Sequence, residues 1–224
     1  MYSQDELKQF ENKILNMDCY DFLKKLPDKS IDLVLTDPPY GINYGKQLKN
    51  KGKGFNTDKN GWRDFNCGDW DKNKIDKIIF DELFRVSKNQ IIWGGNYYVN
   101  YLTPSQCWLV WNKCQKEFSL ADGELVWTSF NKALRIYDYS RGNHLQEKNR
   151  FHATQKPLNL FKWCLNKFSK ENDLILDCFS GSGVTAIACQ DMKRRFICIE
   201  KDKIYFEKSI KRLEDFKKQL IFEF

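Results

Sequence analysis

The chain lacks the histidine and cysteine patterns that usually hold metals. It contains only two histidines, and none of its eight cysteines forms a Cys-x-x-Cys pair. Several cysteines stand beside apolar neighbours on predicted helices or strands, namely Cys164, Cys178, Cys189 and Cys198. We therefore expect no metal site and no disulfide framework, and we expect these cysteines to be reduced and buried.

Long apolar runs are also missing. The first residues are polar and charged, so no signal peptide is expected, and no stretch is long enough to span a bilayer. These absences predict a soluble, cytoplasmic protein that does not bind membranes. The 224 residues contain no linker or repeat and can bury a sizeable core, which predicts one domain over residues 1–224.

The most informative segment is Asp37-Pro38-Pro39-Tyr40, which directly follows an apolar run, Ile31 to Thr36. The run predicts a short buried strand, and the two prolines make a stiff turn at its end. The Asp37 carboxylate and the Pro38 carbonyl are suitable acceptors for both hydrogens of an exocyclic amino group on a nucleobase, and Tyr40 can stack on the ring. The alternative is a proline turn in which Tyr40 fills the core.

A second segment predicts a nucleotide-binding βα unit. Leu174 to Asp177 indicates a strand, Phe179-Ser180-Gly181-Ser182-Gly183 a tight turn, and the apolar spacing from Val184 to Met192 a helix. A further strand, Arg195 to Ile199, ends at Glu200, an acid placed where a ribose diol is held in dinucleotide folds. The alternative is a structural glycine turn.

The position of this unit predicts an unusual strand order. After Glu200 only one helical pattern remains, from Ile204 to Leu220, so the other strands must come from the N-terminal part. We expect an open α/β sheet with rotated sequence order. Because ligands bind at the carboxyl ends of strands in such sheets, Asp37 and Asp177 are expected to face one crevice.

The middle of the chain supplies the remaining elements. Spacing predicts a helix from Ile75 to Val86 and strands at Gln90 to Trp93 and Cys107 to Trp111. Two further strands, Leu125 to Phe130 and Leu134 to Tyr139, are predicted to form a hairpin around Asn131-Lys132.

Together these motifs resemble those of S-adenosylmethionine-dependent DNA amino-methyltransferases with the motif order of the β group. The resemblance covers nearly the whole chain and implies a Rossmann-like methyltransferase fold: an open, mostly parallel, twisted sheet with helices on both faces and permuted motif order. It implies catalytic roles for Asp37, Pro38, Pro39 and Tyr40. The implied ligands of S-adenosylmethionine are Asp18, Thr154, Lys156, Asp177, Phe179, Ser180, Gly181, Ser182, Gly183 and Glu200.

Within this resemblance, individual residues have different implied contacts. In this resemblance, the methionine end of the cofactor is held by the glycine turn and by the segment from His152 to Pro157. Glu200 resembles the ligand of the ribose, and Asp18 resembles the acid that contacts the adenine. Asp18 is an equally good helix N-cap. A cation at Lys156 could pair with the methionine carboxylate, whereas a solvated surface lysine is the commoner case.

The distribution of charge favours double-stranded DNA as the partner. The formal net charge is +7, and the stretch from Gly41 to Thr57 has four glycines and no acid. Its lysines are Lys46, Lys49, Lys51 and Lys53. We predict a mobile basic loop over residues 41–74 whose lysines contact DNA phosphates, the alternative being a plain surface loop. Residues 129–150, with Arg135 and Arg141, are predicted to read sequence.

The predicted reaction is direct methyl transfer to a flipped-out base. Asp at the first position of the catalytic motif resembles the adenine-N6 enzymes, and cytosine-N4 methylation is the alternative within the class. Two other classes stay open, a nicotinamide-dependent oxidoreductase and a catalytically inactive DNA-binding relative. The resemblance also leaves open a homodimer and a partner restriction endonuclease.

Overall fold

The computed structural model describes residues 1–43, 71–117, 121–146 and 155–222. Eight strands occur in these residues: β1 (Lys13–Asn16), β2 (Ile31–Thr36), β3 (Ser87–Trp93), β4 (Leu109–Asn112), β5 (Gly123–Thr128), β6 (Arg135–Asp138), β7 (Leu174–Asp177) and β8 (Arg195–Glu200). The helices are α1 (Gln4–Lys8), α2 (Cys19–Leu23), α3 (Lys77–Val86), α4 (Arg141–Gln146), α5 (Leu158–Phe168), α6 (Val184–Asp191) and α7 (Lys203–Phe222).

All eight strands form one sheet in the order β1-β8-β7-β2-β3-β5-β4-β6. Neighbours from β1 to β3 pair in parallel, β5 runs antiparallel to both β3 and β4, and β6 is parallel to β4. Among the described strands, therefore, only β5 is reversed. The carboxyl ends of the other seven lie at one edge of the sheet, together with the start of β5.

Helices cover both faces of the sheet because the strand side chains alternate. On β2, Leu33 and Leu35 pack with residues of α5 and α6, whereas Val34 on the opposite face packs with α2 and α3. The predicted fold, a mostly parallel sheet with helices on both faces and rotated sequence order, is confirmed. The assignment of residues 1–224 to one domain stays a prediction.

Two details differ from the sequence-based expectation. The predicted hairpin is wrong, because β4 lies between β5 and β6 and pairs with both of them. Alternating apolar residues predict that a strand forms, but they do not say which strand lies next to it. The strand β1 was not predicted, since only one of its four residues, Ile14, is buried.

Of the predicted basic loop, residues 41–74, the structure describes only the two ends. Residues 44–70, with the four lysines of the loop, lie outside the described residues, and so does Thr154. At the ends, the backbone N–H of Gly41 donates to the Asp71 carboxylate at 2.8 Å. The two ends of residues 41–74 therefore meet directly behind Tyr40.

The seven cysteines in the described part of the chain are free thiols, and all but Cys114 are buried. Among the helices that the structure describes, none combines the length and the apolar character needed to cross a bilayer.

A pair of apolar residues on α3 tests the packing of the sheet. Leu83 is fully buried, whereas Ile78 on the same helix is 48% exposed. We expect Leu83→Ala to lower the free energy of unfolding by about 2–5 kcal/mol, because it leaves a cavity between α3 and the sheet. Ile78→Ala is the control, with an expected change within about 0.5 kcal/mol. Urea denaturation measures both, and equal losses would contradict this packing.

Candidate active site

The two predicted loops meet at one edge of the sheet. β2 and β7 are parallel neighbours, with Val34 opposite Leu176. At the ends of these two strands, the Thr36 hydroxyl donates to the Asp177 carboxylate at 2.7 Å, although these residues are 141 positions apart in the sequence. Asp37 and the glycine turn therefore start from adjacent strand ends, as expected, and a common crevice for their ligands stays a prediction.

The Asp37 carboxylate is held by two side chains. The Tyr40 hydroxyl donates to Oδ1 at 2.6 Å, and the Lys156 ammonium donates to Oδ2 at 2.6 Å. Burial raises the pKa of Asp37, and the Lys156 charge opposes this rise. In this arrangement one oxygen faces a neutral hydroxyl and the other a fixed cation.

The two prolines of the motif differ in their carbonyl partners. The Pro39 carbonyl accepts a hydrogen bond from the Tyr98 hydroxyl, which anchors the turn to the 3₁₀ segment after β3. Within the described part of the chain, no donor reaches the Pro38 carbonyl. That carbonyl is the one expected to accept an amino hydrogen.

The ring of Tyr40 is packed in a defined position at the crevice. It stacks on Tyr97, with ring centroids 4.6 Å apart and an interplanar angle of 16°. Gly94, with φ of +63°, lies so close that a Cβ there would be 2.1 Å from Tyr40 Cε1. Only glycine fits this position. The stacking role predicted for Tyr40 stays a prediction.

The glycine turn is held by the Glu200 carboxylate at the end of β8 and by Arg212 of α7. The Gly181 N–H donates to Glu200 at 2.7 Å, and both Gly181 and Gly183 have positive φ. Glu200 also accepts from the Asp202 N–H at 2.8 Å, and burial raises its pKa. Arg212 of α7 donates to Ser182 at 2.9 Å, which holds the turn from its other side.

Asp177 is almost completely buried and has three protein donors. It accepts from the hydroxyls of Thr36 and Thr185 and from the Phe179 N–H at 3.1 Å. Burial raises its pKa to about 6, although these hydrogen bonds oppose the rise. The neighbouring Ser180 is buried too. In this structure Asp177 joins the two loops, and its predicted contact with the cofactor stays a prediction.

Asp18 follows β1, whose last residue, Asn16, pairs with Glu200 at the end of β8. It is the N-cap of α2, accepting from the Tyr20 N–H at 2.9 Å, so the capping interpretation is confirmed. Its second oxygen pairs with Lys201 at 2.8 Å. This position beside Glu200 is compatible with the predicted adenine contact, which stays a prediction.

Lys156 is only 6% exposed, so the surface-lysine alternative is wrong. Besides Asp37, its ammonium contacts Glu124 at 3.2 Å, and Glu124 in turn pairs with Lys113 at 2.8 Å. Burial acts to lower the pKa of Lys156, but the two carboxylates outweigh burial and raise it. For Glu124, Lys156 and Lys113 outweigh burial and lower the pKa.

Sequence reasoning missed four residues of this site: Gly94, Tyr97, Lys113 and Glu124. A signal for one of them was available. On β5, Glu124 lies on the same face of the strand as the buried residues Val126 and Thr128, so a carboxylate occupies a position that points toward the core. Charges at such positions are rarely buried without a partner.

The predicted sequence-reading residues are not brought to the crevice by the described structure. Arg135 is exposed and begins β6, at the sheet edge opposite to Asp37. Arg141 begins α4, and its side chain lies outside what the structure describes.

Comparison with known proteins decides the family. Residues 65–211, more than half of the chain, match the family model of N6/N4 DNA methyltransferases, described as DNA methylase. The chain belongs to this family. It is similar to the Type II methyltransferase M.HinfI of Haemophilus influenzae, with 28% identity over 96% of this chain and 71% of the relative. It is also similar to M2.DpnII of Streptococcus pneumoniae, with 26% identity over 92% of both chains.

Solved structures support the fold. M1.HpyAVI, determined as a complex with S-adenosylmethionine, aligns with a TM-score of 0.58 and 22% identity over 90% of this chain and 98% of that one. PvuII DNA methyltransferase, described as cytosine-N4-specific, aligns with a TM-score of 0.58 and 15% identity over 91% and 90%. The predicted S-adenosylmethionine-dependent DNA amino-methyltransferase is confirmed, and the oxidoreductase alternative is set aside.

The buried Asp177 predicts a pH dependence of stability. Its folded pKa of about 6 exceeds the ordinary 3.8, so the folded protein binds more protons between these values. The resulting stabilisation is fully present below pH 3.8 and is lost as the pH rises through 6.

We therefore expect the free energy of unfolding of the wild type to fall, relative to Asp177→Asn, by roughly 2–3 kcal/mol between pH 4 and pH 7. Urea denaturation at a series of pH values measures this difference. Parallel pH profiles for the two proteins would contradict the assignment.

Proposed function

We propose that this protein transfers a methyl group from S-adenosylmethionine to the N6 amino group of adenine in double-stranded DNA, acting on a flipped-out nucleotide. The observation that carries the proposal is the Thr36–Asp177 hydrogen bond, which sets the Asp37 turn beside the glycine turn. Asp at the first motif position favours adenine. Cytosine-N4 methylation is the alternative, and a fold shared with a cytosine-N4-specific enzyme does not decide between them.

The residues around the glycine turn suit the proposed cofactor. Gly181 and Gly183 have positive φ, a conformation that favours glycine, so no side chain projects from the turn at these positions. At Gly183 a Cβ would also lie 3.1 Å from Ser209 Cβ. We propose that this turn holds the methionine end, that Glu200 holds the ribose, and that Asp18 contacts the adenine. When bound, S-adenosylmethionine supplies an electrophilic methyl group on a sulfonium.

The proposed role of Asp37 is to accept one amino hydrogen of the target base. The Pro38 carbonyl accepts the other hydrogen. With both hydrogens engaged, the nitrogen lone pair is directed toward the methyl group. The nitrogen–carbon bond forms as the sulfur–methyl bond breaks, the neutral thioether leaves, and the nitrogen loses one proton to solvent by way of the Asp37 carboxylate. The Tyr40 hydroxyl, 2.6 Å from Asp37 Oδ1, is the group that gives way to the incoming amine, while Lys156 keeps Oδ2 in place. The extruded base leaves water behind, which strengthens these contacts.

The reaction product tests this function. Unmethylated genomic DNA is incubated with the protein and labelled S-adenosylmethionine, and the digested nucleosides are identified by mass spectrometry. We expect N6-methyladenine. Asp37→Ala is expected to lower the rate by about 10²-fold to 10³-fold or more, because it removes an acceptor at the reacting nitrogen, with cofactor binding retained.

Asp81→Ala on the exposed face of α3 is the matched control and should keep full activity. N4-methylcytosine as the product would support the alternative base. DNA binding without any transfer by the wild type would support the inactive relative.

DNA binding is proposed to depend on the lysines between residues 41 and 74. We expect replacement of Lys46, Lys49, Lys51 and Lys53 by glutamine to weaken binding to all DNA sequences alike. The slope of log affinity against log salt should flatten by about one for each phosphate contact that is lost. Fluorescence anisotropy at several salt concentrations measures both quantities.

A charge-matched control carries the same number of lysine-to-glutamine changes at surface ion pairs. These are Lys8, Lys24, Lys88 and Lys162. Equal effects in the two proteins would mean that net charge, and not the loop, attracts DNA. A homodimer and a partner restriction endonuclease stay predictions, which light scattering and genomic context, respectively, can test.

A further inference from the structure

Asp37 is the last member of a continuous row of four charged side chains. Lys113 contacts Glu124 at 2.8 Å, Glu124 contacts Lys156 at 3.2 Å, and Lys156 contacts Asp37 at 2.6 Å. The four side chains are between 6% and 23% exposed. They come from four separate segments: the end of β4, the start of β5, the chain before α5, and the turn after β2.

Because its positive and negative charges alternate, this row can be buried without leaving an unpaired charge. Two cations and two carboxylates sum to zero, so each desolvated charge has an opposite neighbour. Lys156 lies between two carboxylates, and its ammonium is also 5.4 Å from the ring centroid of Trp93 and 5.7 Å from that of Tyr40. Lys156 therefore has its hydrogen bond to Asp37 on one side and the longer ion pair with Glu124 on the other.

We propose that Glu124 is a positioning residue for methyl transfer, which acts through Lys156 on Asp37. Glu124 holds the Lys156 ammonium beside Asp37 Oδ2, and this contact leaves Oδ1 directed at the amino group of the base. Lys113 balances the charge of Glu124. The inference rests on the proposed function, because it assigns Asp37 the role of acceptor for the target amine.

Stability alone does not account for the row. Buried ion pairs are often no better for stability than apolar residues of similar volume, whereas a side chain held between two fixed partners has a defined position. That position matters at a reacting group, since a displacement of about 1 Å can cost about 10²-fold in rate. A charge row that ends on the catalytic carboxylate fits such a role.

The decisive variants remove one charge and keep the shape. Glu124→Gln is expected to lower kcat by about 10²-fold, while KM for DNA and the dissociation constant of S-adenosylmethionine change by less than about threefold. Lys113→Gln should also lower kcat, and Lys113→Arg should restore much of it, because the cation beside Glu124 returns. Glu11→Gln, which breaks the Arg195 pair at the opposite edge of the sheet, is the control and should keep wild-type kinetics.

Each outcome decides the proposal. If folded Glu124→Gln keeps wild-type kcat, or if kcat and cofactor affinity fall together, Glu124 does not act on Asp37. If Glu124→Gln fails to fold, the comparison of Lys113→Gln with Lys113→Arg replaces it, and equal kcat values in those two variants overturn the proposal. A wild type that transfers no methyl group would instead overturn the proposed function itself.

Discussion

The arrangement of the candidate active site depends on the parallel pairing of β2 with β7 and on the hydrogen bond that follows it, from Thr36 to Asp177. Parallel neighbours end at the same edge of a sheet, so whatever follows each strand must share a crevice. This one constraint brings a stiff proline turn to a glycine turn. Because the bond is buried, the Asp177 carboxylate cannot turn to solvent without losing its partners.

The same edge gathers an unusual number of carboxylates. Asp37, Asp177 and Glu200 end or follow neighbouring strands, and burial raises the pKa of each. Each is held by protein donors: two hydroxyls and one backbone N–H for Asp177, two backbone N–H groups for Glu200, and a hydroxyl with the Lys156 ammonium for Asp37. Protein donors thus keep the three carboxylates in fixed orientations.

Local patterns were sufficient for much of the fold. The strands at Ile31–Thr36, Leu174–Asp177 and Arg195–Glu200 are short apolar runs bounded by turn residues, and one remaining helix after Glu200 forced the rotated order. The same reasoning found β5 and β6 but paired them wrongly, because packing over the whole sheet decides which strands are neighbours. It also missed β1, whose single buried residue leaves almost no pattern.

The sequence by itself determined which functional groups are available: a carboxylate beside a rigid carbonyl, a glycine turn, and acids at strand ends. These features depend only on residue type and local backbone geometry. Only the tertiary structure decided which groups touch. It turned Lys156 from a candidate surface cation into the buried partner of Asp37 and Glu124, and it seated Tyr40 against Gly94. Such contacts join residues far apart in the chain, and only the folded sheet sets the distances between them.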